Sequence, residues 1–291
     1  MPAAMPLPAY VNNLSATVAA ALAEDVGSGD LTALLTADAP AQARVITREA
    51  CVVCGQAWVD EVFRQINPAV TVTWQLAEGA KAEPNQVLFT LAGPARALLT
   101  GERSALNFLQ TLSGTATAVA AFVSAVAGTG CQIADTRKTL PGLRNAQKHA
   151  VLMGGGVNHR IGLYDGILIK ENHIAAAGGI ANALANARTL NAKVPLMTEA
   201  ENLAEVQAAL AANVDLLLID ELPDAEILEA VALTRAQRAA GGKTVLEYSG
   251  GATLASVRRI AELGVDRISV GAITKHVRAI DLSMRIVRQI A

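Results

Sequence analysis

The spacing of apolar residues changes twice along the chain, and each change predicts a different kind of structure. Residues 13–25 carry apolar side chains at helical spacing. From about 40 to 95, short strand-like stretches over 43–55, 69–80 and 86–94 are separated by Gly, Pro and Asn, with a helix predicted over 57–66. Residues 95–127 predict one long helix, or two with a break near Ser113 and Gly114. The first part of the chain therefore reads as an α+β sheet domain.

Beyond residue 127 the pattern becomes regular. Six short apolar runs with strand character lie at 131–135, 166–170, 193–200, 214–220, 243–250 and 266–271. Amphipathic helical stretches lie between most of them, which predicts a parallel sheet covered by helices. The number and even spacing of these units favour a barrel of the TIM type, complete or open. An open doubly wound sheet is the alternative, but no G-x-G-x-x-G follows the first strand.

Composition and charge narrow the classes of function. The chain has 291 residues, of which 52% are hydrophobic and 17% charged, so a large core is expected. The net charge of −2 argues against nucleic acid or an anionic membrane as partner. We expect no membrane span, because no apolar run reaches about 18 residues. The start of the chain lacks a basic region and is broken by prolines, unlike a secretory signal.

The three cysteines fit a reducing cytoplasm, which is the expected location. Cys51 and Cys54 form a C-x-x-C, but a zinc ribbon would need a second pair. A redox pair would stand at the start of a helix after a strand. This pair lies in an apolar run that reads as the end of a strand, so structural cysteines are predicted.

Polar residues and glycines follow nearly every predicted barrel strand, where barrels place their active sites. These residues are Asp135, Thr136, Arg137, Lys138, Lys170, Glu199, Asp220, Ser249, Gly250, Gly251 and Gly271. The segment 135–173 also holds six of the chain's Lys and Arg residues and three of its four histidines. Because the strand ends meet at one face, this concentration predicts a local anion-binding site.

The cations of this set suit carboxylates or phosphates, and they are Arg137, Lys138, Arg160 and Lys170. A solvated surface cation is the alternative for each, least so for Lys170, which directly follows a buried strand. His159 would act as a proton donor or a phosphate contact in a glycine-rich, ligand-facing loop, against a structural role. His149 and His173 are expected on a helix surface and in a turn.

The carboxylates of this set could bind a metal ion, and its glycines could bind a phosphate. Glu199 and Asp220 end successive strands and could hold a hydrated Mg²⁺, with salt bridges to neighbouring cations as the alternative. Ser249, Gly250, Gly251 and Gly271 lie in the last two strand-to-helix turns, where barrels often bind phosphate through backbone N–H groups. Plain tight turns are the other interpretation. The residues alone thus predict a Mg²⁺-assisted barrel enzyme acting on a small polyanion that carries phosphate.

The 39-residue stretch DTRKTLPGLRNAQKHAVLMGGGVNHRIGLYDGILIKENH resembles the signature region of the quinolinate phosphoribosyltransferase family. The likeness extends to ALAEDVGSGDLT at 21–32, GERSALNFLQTLSGTAT at 101–117, EAENLAEVQAAL at 199–210, EYSGG at 247–251 and SVGAIT at 269–274. It covers nearly the whole chain. The resemblance implies a Mg²⁺-dependent transfer of phosphoribosyl from 5-phosphoribosyl-1-pyrophosphate to quinolinate, giving nicotinate mononucleotide, pyrophosphate and CO₂ for NAD biosynthesis.

The resemblance also implies roles for residues. It assigns the quinolinate dicarboxylate to Arg137, Arg160, Lys170 and His159, with Arg103 reaching in from the partner subunit of a homodimer. Lys138 would lie between the quinolinate and ribose sites, and Glu199 and Asp220 would serve the ribose hydroxyls and Mg²⁺. The four residues of the last two turns would hold the 5-phosphate. From the residues alone, Arg103 reads as a helix-surface cation.

The implied architecture is an open TIM-like α/β barrel over 116–273 and an N-terminal α/β sandwich domain over 1–115, on which a last helix at 274–291 packs. The sequence departs from the family at Glu221, where Asn is common, at Lys275-His276, where His-Ser is usual, and just before Glu199, where a carboxylate is lost. Two alternatives stay open: a nicotinate-specific or diverged phosphoribosyltransferase, including the homologue associated with molybdenum transport, and a non-catalytic ligand-binding paralogue. The set of cations favours a dicarboxylate, and the retained Lys138, Glu199 and Asp220 favour catalysis.

Overall fold

The computed structural model describes residues 7–289. Its helices are α1 (Leu14–Val26), α2 (Gln56–Ile66), α3 (Ala95–Ala125), α4 (Arg144–Met153), α5 (Glu171–Ala176), α6 (Ile180–Thr189), α7 (Leu203–Ala211), α8 (Asp224–Ala239), α9 (Val257–Glu262) and α10 (Ala272–Lys275), with a 3-10 turn at Ala33–Leu35. Its strands are β1 (Pro40–Thr47), β2 (Cys51–Val52), β3 (Thr71–Trp74), β4 (Lys81–Ala82), β5 (Val87–Pro94), β6 (Gln132–Ala134), β7 (Ile167–Ile169), β8 (Leu196–Ala200), β9 (Leu216–Asp220), β10 (Val245–Ser249), β11 (Arg267–Ser269) and β12 (Leu282–Gln289).

Contacts within the chain divide it into two compact units. The first unit comprises Met1–Ala120, Thr139–Gly155 and Ala272–Ala291, and the second comprises Ala121–Lys138 and Gly156–Gly271. The segment 139–155, which the sequence prediction gave to the barrel domain, therefore belongs to the first unit. The expectation that the start of the chain is not a secretory signal concerns residues that include 1–6, which lie outside the described range.

The first unit is built on an antiparallel sheet with the strand order β12-β1-β5-β3. Along β1, Ala41, Ala43, Val45 and Thr47 are buried and alternate with more exposed residues. A strand turns successive side chains to opposite faces, so this alternation gives the sheet one apolar face. Trp58 and Phe63 of α2 belong to the same core cluster as Val45. The predicted strands and the helix over 57–66 are thus confirmed.

The predicted last helix over 274–291 is wrong. After the short helix α10 the chain forms β12, which pairs antiparallel with β1, Met284 lying opposite Val45. Leu282, Met284 and Ile286 pack against the core cluster, and their spacing of two is that of a strand. Residues 282–289 form a strand and not a helix because they pair with β1, which lies some 240 residues earlier in the chain. The final two residues of the predicted helix lie outside the described range.

Helix α3 runs without a break through Ser113 and Gly114, so the two-helix alternative is excluded. A Cβ at Gly114 would lie 2.2 Å from the Arg278 carbonyl oxygen, which means that the glycine admits a close-passing backbone. An 18-residue window of α3 has a mean hydropathy of 1.3, enough to cross a membrane by length and composition, contrary to the sequence expectation. Half of that window is buried, and Leu98, Leu109 and Leu112 are fully buried, as in a core helix.

The second unit contains a six-stranded parallel sheet in the order β6-β11-β10-β9-β8-β7. From β7 to β11 each strand pairs with its successor in the chain, and β6 pairs with β11, the last of the series. A closed barrel would also pair β6 with β7, and the described residues do not form that pair. A doubly wound sheet would instead reverse the strand order part-way. The predicted open TIM-like barrel is confirmed.

Candidate active site

The interior of the barrel has an apolar layer and, above it, a charged one. Met197, Leu216 and Leu218 form a buried cluster against which Leu168 and Val245 pack. Residues two positions further along a strand point to the same face. The next inward positions after these apolar residues are Lys170, Glu199, Asp220 and Glu247, and Ser249 follows two residues after Glu247. The pairing register sets Glu199 level with Leu218 and Glu247, and Ser249 level with Asp220.

Glu199 is nearly buried and forms an ion pair with Lys170. Both ends of this pair were predicted, Glu199 as a metal or ribose ligand or as the partner of a cation, and Lys170 as part of an anion clamp. The Lys170 side chain keeps 43% of its surface exposed, whereas that of Glu199 keeps 11%. The pair therefore presents its cationic end to solvent at the mouth of the barrel.

The glycine-rich loop that carries His159 lies alongside β6, at the open edge of the barrel. Val157 N donates to Ile133 O at 2.8 Å, and Val157 bridges Ala134 in parallel fashion. Fully buried Asp135 accepts hydrogen bonds from Asn158 Nδ2 at 2.7 Å and from His159 N at 2.8 Å. Asp135 was predicted only as a strand-end charge, and it anchors the functional loop.

Arg160 is the best-defined cation of the predicted clamp. Its guanidinium Nη1 donates to the Gly166 carbonyl at 3.0 Å, and its backbone N–H donates to His159 Nδ1 at 2.8 Å. Burial lowers the pKa of Arg160, the charge of Arg137 lowers it further, and Asp165 and Glu199 oppose the shift. Two guanidinium groups that repel one another in a partly desolvated site favour the binding of an anion.

Lys138 follows β6, and glycine at position 271 leaves room beside it. A Cβ at Gly271 would lie 3.1 Å from Lys138 Cδ and 3.5 Å from Thr136 Oγ1. Thr136 Oγ1 accepts a hydrogen bond from Lys138 N at 3.0 Å, which fixes the turn. The ends of β6 and β11 thus bring the predicted residues Thr136, Lys138 and Gly271 together.

The turn after β10 packs on the turn after β9. Gly250 and Gly251 have φ values of +130° and +49°, and a Cβ at Gly250 would lie 2.6 Å from Glu221 Cγ. Glu221 itself has a φ of +51° and donates its N–H to Ser249 O at 3.1 Å. Glycine at 250 is therefore required by conformation and by space. Asp220, Ser249 and Gly250 lie at one edge, as predicted.

Glu247 was not predicted as a functional residue. It is fully buried, and neither carboxylate oxygen has a hydrogen-bond partner among the described residues. His159 Nε2 lies 3.8 Å from its Oε1. Burial raises its pKa to about 7, with the carboxylates of Asp135 and Glu199 adding to the shift and the Ser269 hydroxyl and Arg267 opposing it. The sequence does contain a signal for Glu247, because a charged residue inside an otherwise buried strand is unusual.

Arg103 belongs to the first unit, on an exposed position of α3, as its sequence context alone indicated. It lines a cavity with Asp25, Asp30, Leu31 and Thr100. The other predicted site residues all belong to the second unit. The role implied for Arg103 by the family resemblance stays a prediction.

A separate cluster in the first unit comprises Cys54, Glu78 and His149. His149 was expected on a helix surface, but it is buried and contacts Glu78 Oε1 through Nε2 at 2.9 Å. Glu78 also accepts the N–H groups of Gly55 and Gln56 at the start of α2. Burial raises the pKa of Cys54 well above 9, so that it stays a thiol, which opposes metal binding and redox chemistry.

The cysteine pair is structural, as predicted, although Cys54 lies closer to a helix start than the sequence indicated. Cys51, Cys54 and Cys131 are all free and buried. His173, which was expected in a turn, instead lies in the first turn of helix α5, where its Nδ1 accepts the Lys170 N–H at 3.1 Å.

In comparison with known protein families, two domains of one family match this chain. The quinolinate phosphoribosyl transferase N-terminal domain matches residues 30–113, and the C-terminal domain of the same family matches residues 115–285. The chain is 40% identical over 270 residues to a probable nicotinate-nucleotide pyrophosphorylase (carboxylating) of Synechocystis sp., covering 92% of this chain and 90% of that protein. It is 38% identical to the nicotinate-nucleotide pyrophosphorylase (carboxylating) of Mycobacterium leprae, covering 92% and 95%.

Solved structures agree with the sequence comparison. The nicotinate-nucleotide pyrophosphorylase of Francisella tularensis superposes with a TM-score of 0.90 at 44% identity, covering 94% of this chain and 95% of that one. The two matched domains together span most of the chain, and they include every residue of the charged strand-end layer. The chain belongs to the quinolinate phosphoribosyl transferase family.

Proposed function

We propose that this chain transfers phosphoribosyl from 5-phosphoribosyl-1-pyrophosphate to quinolinate with decarboxylation, giving nicotinate mononucleotide, pyrophosphate and CO₂ in NAD biosynthesis. Its relatives carry the name of that activity. The observation that carries the proposal is the guanidinium of Arg160, which Gly166 O holds in place and whose pKa is lowered by burial and by the charge of nearby Arg137. An aromatic dicarboxylate would compensate both charges at once.

Quinolinate would bind against Arg137, Arg160, Lys170 and His159. Arg160 is held by Gly166 and by the His159 ring, so its donors are oriented before the ligand arrives. Lys170 would exchange part of its contact with Glu199 for a substrate carboxylate. A monoacid such as nicotinate would leave one of these cations uncompensated, which favours quinolinate over the nicotinate-specific alternative.

The phosphoribosyl group would lie across the ends of β8 to β11. Ser249, Gly250, Gly251 and Gly271 would hold the 5-phosphate through backbone N–H groups in turns free of Cβ atoms. Glu199 and Asp220 would accept hydrogen bonds from the ribose hydroxyls. Lys138, beside Gly271, would stand between the two substrates.

The donor set suits Mg²⁺, which usually keeps several waters and takes one or two carboxylates together with substrate phosphates. Glu199 and Asp220 would hold the ion, directly or through water, and it would supply charge neutralisation for the departing pyrophosphate. Lys138 would add positive charge to the same region. A fully dehydrated cage of protein ligands is not offered by these two residues, which agrees with an ion that arrives with its substrate.

The chemistry follows from what these residues hold in place. When the C1–O bond to pyrophosphate breaks, positive charge develops on the ribose, and the carboxylates of Glu199 and Asp220 stabilise it. The quinolinate nitrogen, fixed by its clamped carboxylates, attacks C1 and becomes a pyridinium. The C2–CO₂⁻ bond then breaks and CO₂ leaves, the electron pair stays on C2 beside the positive ring nitrogen, and C2 takes up one proton.

A homodimer with shared active sites is part of the proposal. The first unit exposes Leu31, Leu34 and Leu35 with 80%, 63% and 87% of their surface accessible, and Leu31 lines the same cavity as Arg103. Exposed leucines grouped on one segment suit a partner surface. Arg103 of one subunit would then complete the quinolinate clamp of the other. We further place the enzyme in the cytoplasm, in keeping with three unpaired cysteines.

The first test is an assay of the purified chain with quinolinate, phosphoribosyl pyrophosphate and Mg²⁺, in which nicotinate mononucleotide and CO₂ are measured. Nicotinate serves as the parallel substrate. Turnover with quinolinate and not nicotinate is the expected result. Lys138→Ala should abolish it, whereas Lys243→Ala, a matched change at the opposite end of the barrel strands, should not. Turnover with nicotinate alone, or with neither, would overturn the proposal.

Shared sites are tested by mixing two inactive variants, Arg103→Ala and Lys138→Ala. In a mixed dimer, one site carries both defects and the other carries none. Random exchange of subunits in a two-fold dimer should therefore restore about a quarter of the unmodified activity. No recovery, with exchange verified by native mass spectrometry, would show that each subunit builds its site alone.

A further inference from the structure

Glu247 has no part in the proposed reaction, yet it lies in the same layer of the barrel as Glu199, which does. It is fully buried in β10, level with Glu199 across β9. The charged and titratable groups that act on it are Asp135 after β6, Glu199 on β8, Arg267 on β11 and His159 in the glycine-rich loop. Between Glu247 and Glu199 the register places apolar Leu218.

This carboxyl group is short of stabilising partners. Neither of its oxygens has a donor at hydrogen-bond distance among the described residues, although the nearby Ser269 hydroxyl holds its pKa down. Ionised, it would stand near two other carboxylates with a single nearby arginine, Arg267. A buried carboxylate in such surroundings is easily converted to its neutral form by any further negative charge. A dianionic substrate bound above it would supply that charge.

The neighbouring imidazole fixes where a proton can go. His159 Nδ1 accepts the Arg160 backbone N–H at 2.8 Å, so the proton of the neutral ring lies on Nε2, 3.8 Å from Glu247 Oε1. A second proton on the ring would break the bond from Arg160. Glu247, and not His159, is therefore the group that can take up a proton without disturbing the clamp.

We propose that Glu247 is a positioning residue that takes up one proton from solvent when the dianionic substrate binds, so that the Nε2–H of His159 is directed to a substrate carboxylate. An ionised Glu247 competes with the substrate for that N–H, because a charged acceptor binds a donor more strongly than a neutral one. The proton adds to a Glu247 oxygen, and no other bond is made or broken. The inference rests on the proposed binding of quinolinate.

Proton uptake is measured by titrating the full-length protein with quinolinate in a calorimeter at pH 7.5. Two buffers with different enthalpies of ionisation, phosphate and Tris, give the number of protons taken up on binding. With a pKa of about 7, Glu247 is about three-quarters ionised at this pH, so the unmodified protein should take up between half a proton and one.

Glu247→Gln should take up almost none, and Glu262→Gln, an exposed change in the same unit, should behave like the unmodified protein. The dissociation constant for quinolinate should also weaken by up to about tenfold per pH unit above pH 7 in the unmodified protein, and stay flat in Glu247→Gln. Glu247→Leu, similar in volume, repeats both measurements with an apolar side chain.

Two results separate the inference from the function beneath it. Quinolinate binding with the same proton uptake in Glu247→Gln and in the unmodified protein would overturn the inference and leave the proposed function standing. Failure of quinolinate to bind the unmodified protein would overturn both. A merely structural role of Glu247 would change stability or affinity at every pH alike, and would leave the proton count unchanged.

Discussion

Among the described residues, His149 with Glu78 and His159 with Glu247 form two close pairs of histidine and glutamate, and the pairs differ in how many hydrogen bonds the glutamate accepts. In the first unit, Glu78 lies 2.9 Å from His149 Nε2 and also accepts two backbone N–H groups at 2.9 and 3.2 Å. In the second unit, Glu247 lies 3.8 Å from His159 Nε2 and accepts no hydrogen bond from a described residue. The residue types are the same, but the surroundings are opposite.

The difference separates a structural role from a functional one. Glu78 holds the start of α2, where its negative charge meets the unsatisfied N–H groups of the helix end. Glu247 destabilises the fold, because its buried carboxyl group loses its hydration and gains no hydrogen bond that would replace it. Natural proteins keep such groups mainly at sites that act on ligands. Residue type alone would have ranked the two pairs alike.

The largest expected effect concerns Glu199, which lies level with Glu247 in the charged layer. Glu199→Gln should lower kcat/KM by about 100- to 1000-fold, because the substituted amide no longer stabilises developing positive charge. The free energy of unfolding should change by less than about 1 kcal/mol, since the lost ion pair with Lys170 is partly exposed. The assay described above and denaturant unfolding measure the two. Glu201→Gln, an exposed neighbour, is the control, and an equal loss there would contradict the assignment.

In the first unit, a change at Glu78 should lower stability and leave activity unchanged. Glu78→Ala leaves the N–H groups of Gly55 and Gln56 and the His149 ring without their acceptor, which should lower the free energy of unfolding by about 4 kcal/mol. The folded fraction should keep its kcat. Denaturant unfolding and the standard assay check this, with Glu83→Ala as the exposed control. Lost activity at undiminished stability would remove the contrast between the two pairs.

The second unit should show a stability that depends on pH through Glu247. Its folded pKa of about 7 lies above the ordinary value of 4.5, so the folded state holds the proton more tightly than the unfolded state. The stability that this group contributes is complete below pH 4.5 and is lost as the pH rises to 7. At pH 8, Glu247→Gln should therefore be more stable than the unmodified protein by on the order of 3 kcal/mol.

At pH 5 the advantage of Glu247→Gln should shrink to less than about 1 kcal/mol, because the native carboxyl is then nearly neutral when folded. Urea unfolding of both proteins from pH 5 to pH 8 measures the difference, in which other titrating groups cancel. A difference that does not vary with pH would mean that Glu247 finds partners which the described contacts do not include.

The smallest expected effect concerns Glu221 beside the phosphate turn. Its φ of +51° is a left-handed conformation that Asn adopts more readily than Glu. Glu221→Asn should therefore stabilise the fold by about 0.5 to 1 kcal/mol. Glu229→Asn, an exposed change inside α8, should instead destabilise it by a few tenths of a kcal/mol. Thermal unfolding of both variants decides, and destabilisation of the first would show that Glu221 has contacts worth more than its strain.

Much of the site could be predicted because the end of each barrel strand is marked in the sequence by a polar residue after an apolar run. Lys170, Glu199, Asp220 and Ser249 each follow an apolar run, and parallel strands bring those ends to one edge. The two-residue period also sets the inward face of β10, which includes Glu247. His149 was misassigned because a helix of mixed polarity does not show which side will be covered.

The sequence by itself determined the six strands of the barrel, their parallel order and the chemistry at their ends, since these depend on local period and on the polarity of neighbouring residues. Tertiary structure decided the fate of residues 282–289, which form a strand because β1 offers an edge to pair with. It also decided which of Glu78 and Glu247 finds hydrogen-bond donors. Hydrogen-bond partners for Glu78 come from 22 and 71 residues away in the chain, and no local pattern can report whether such distant donors arrive.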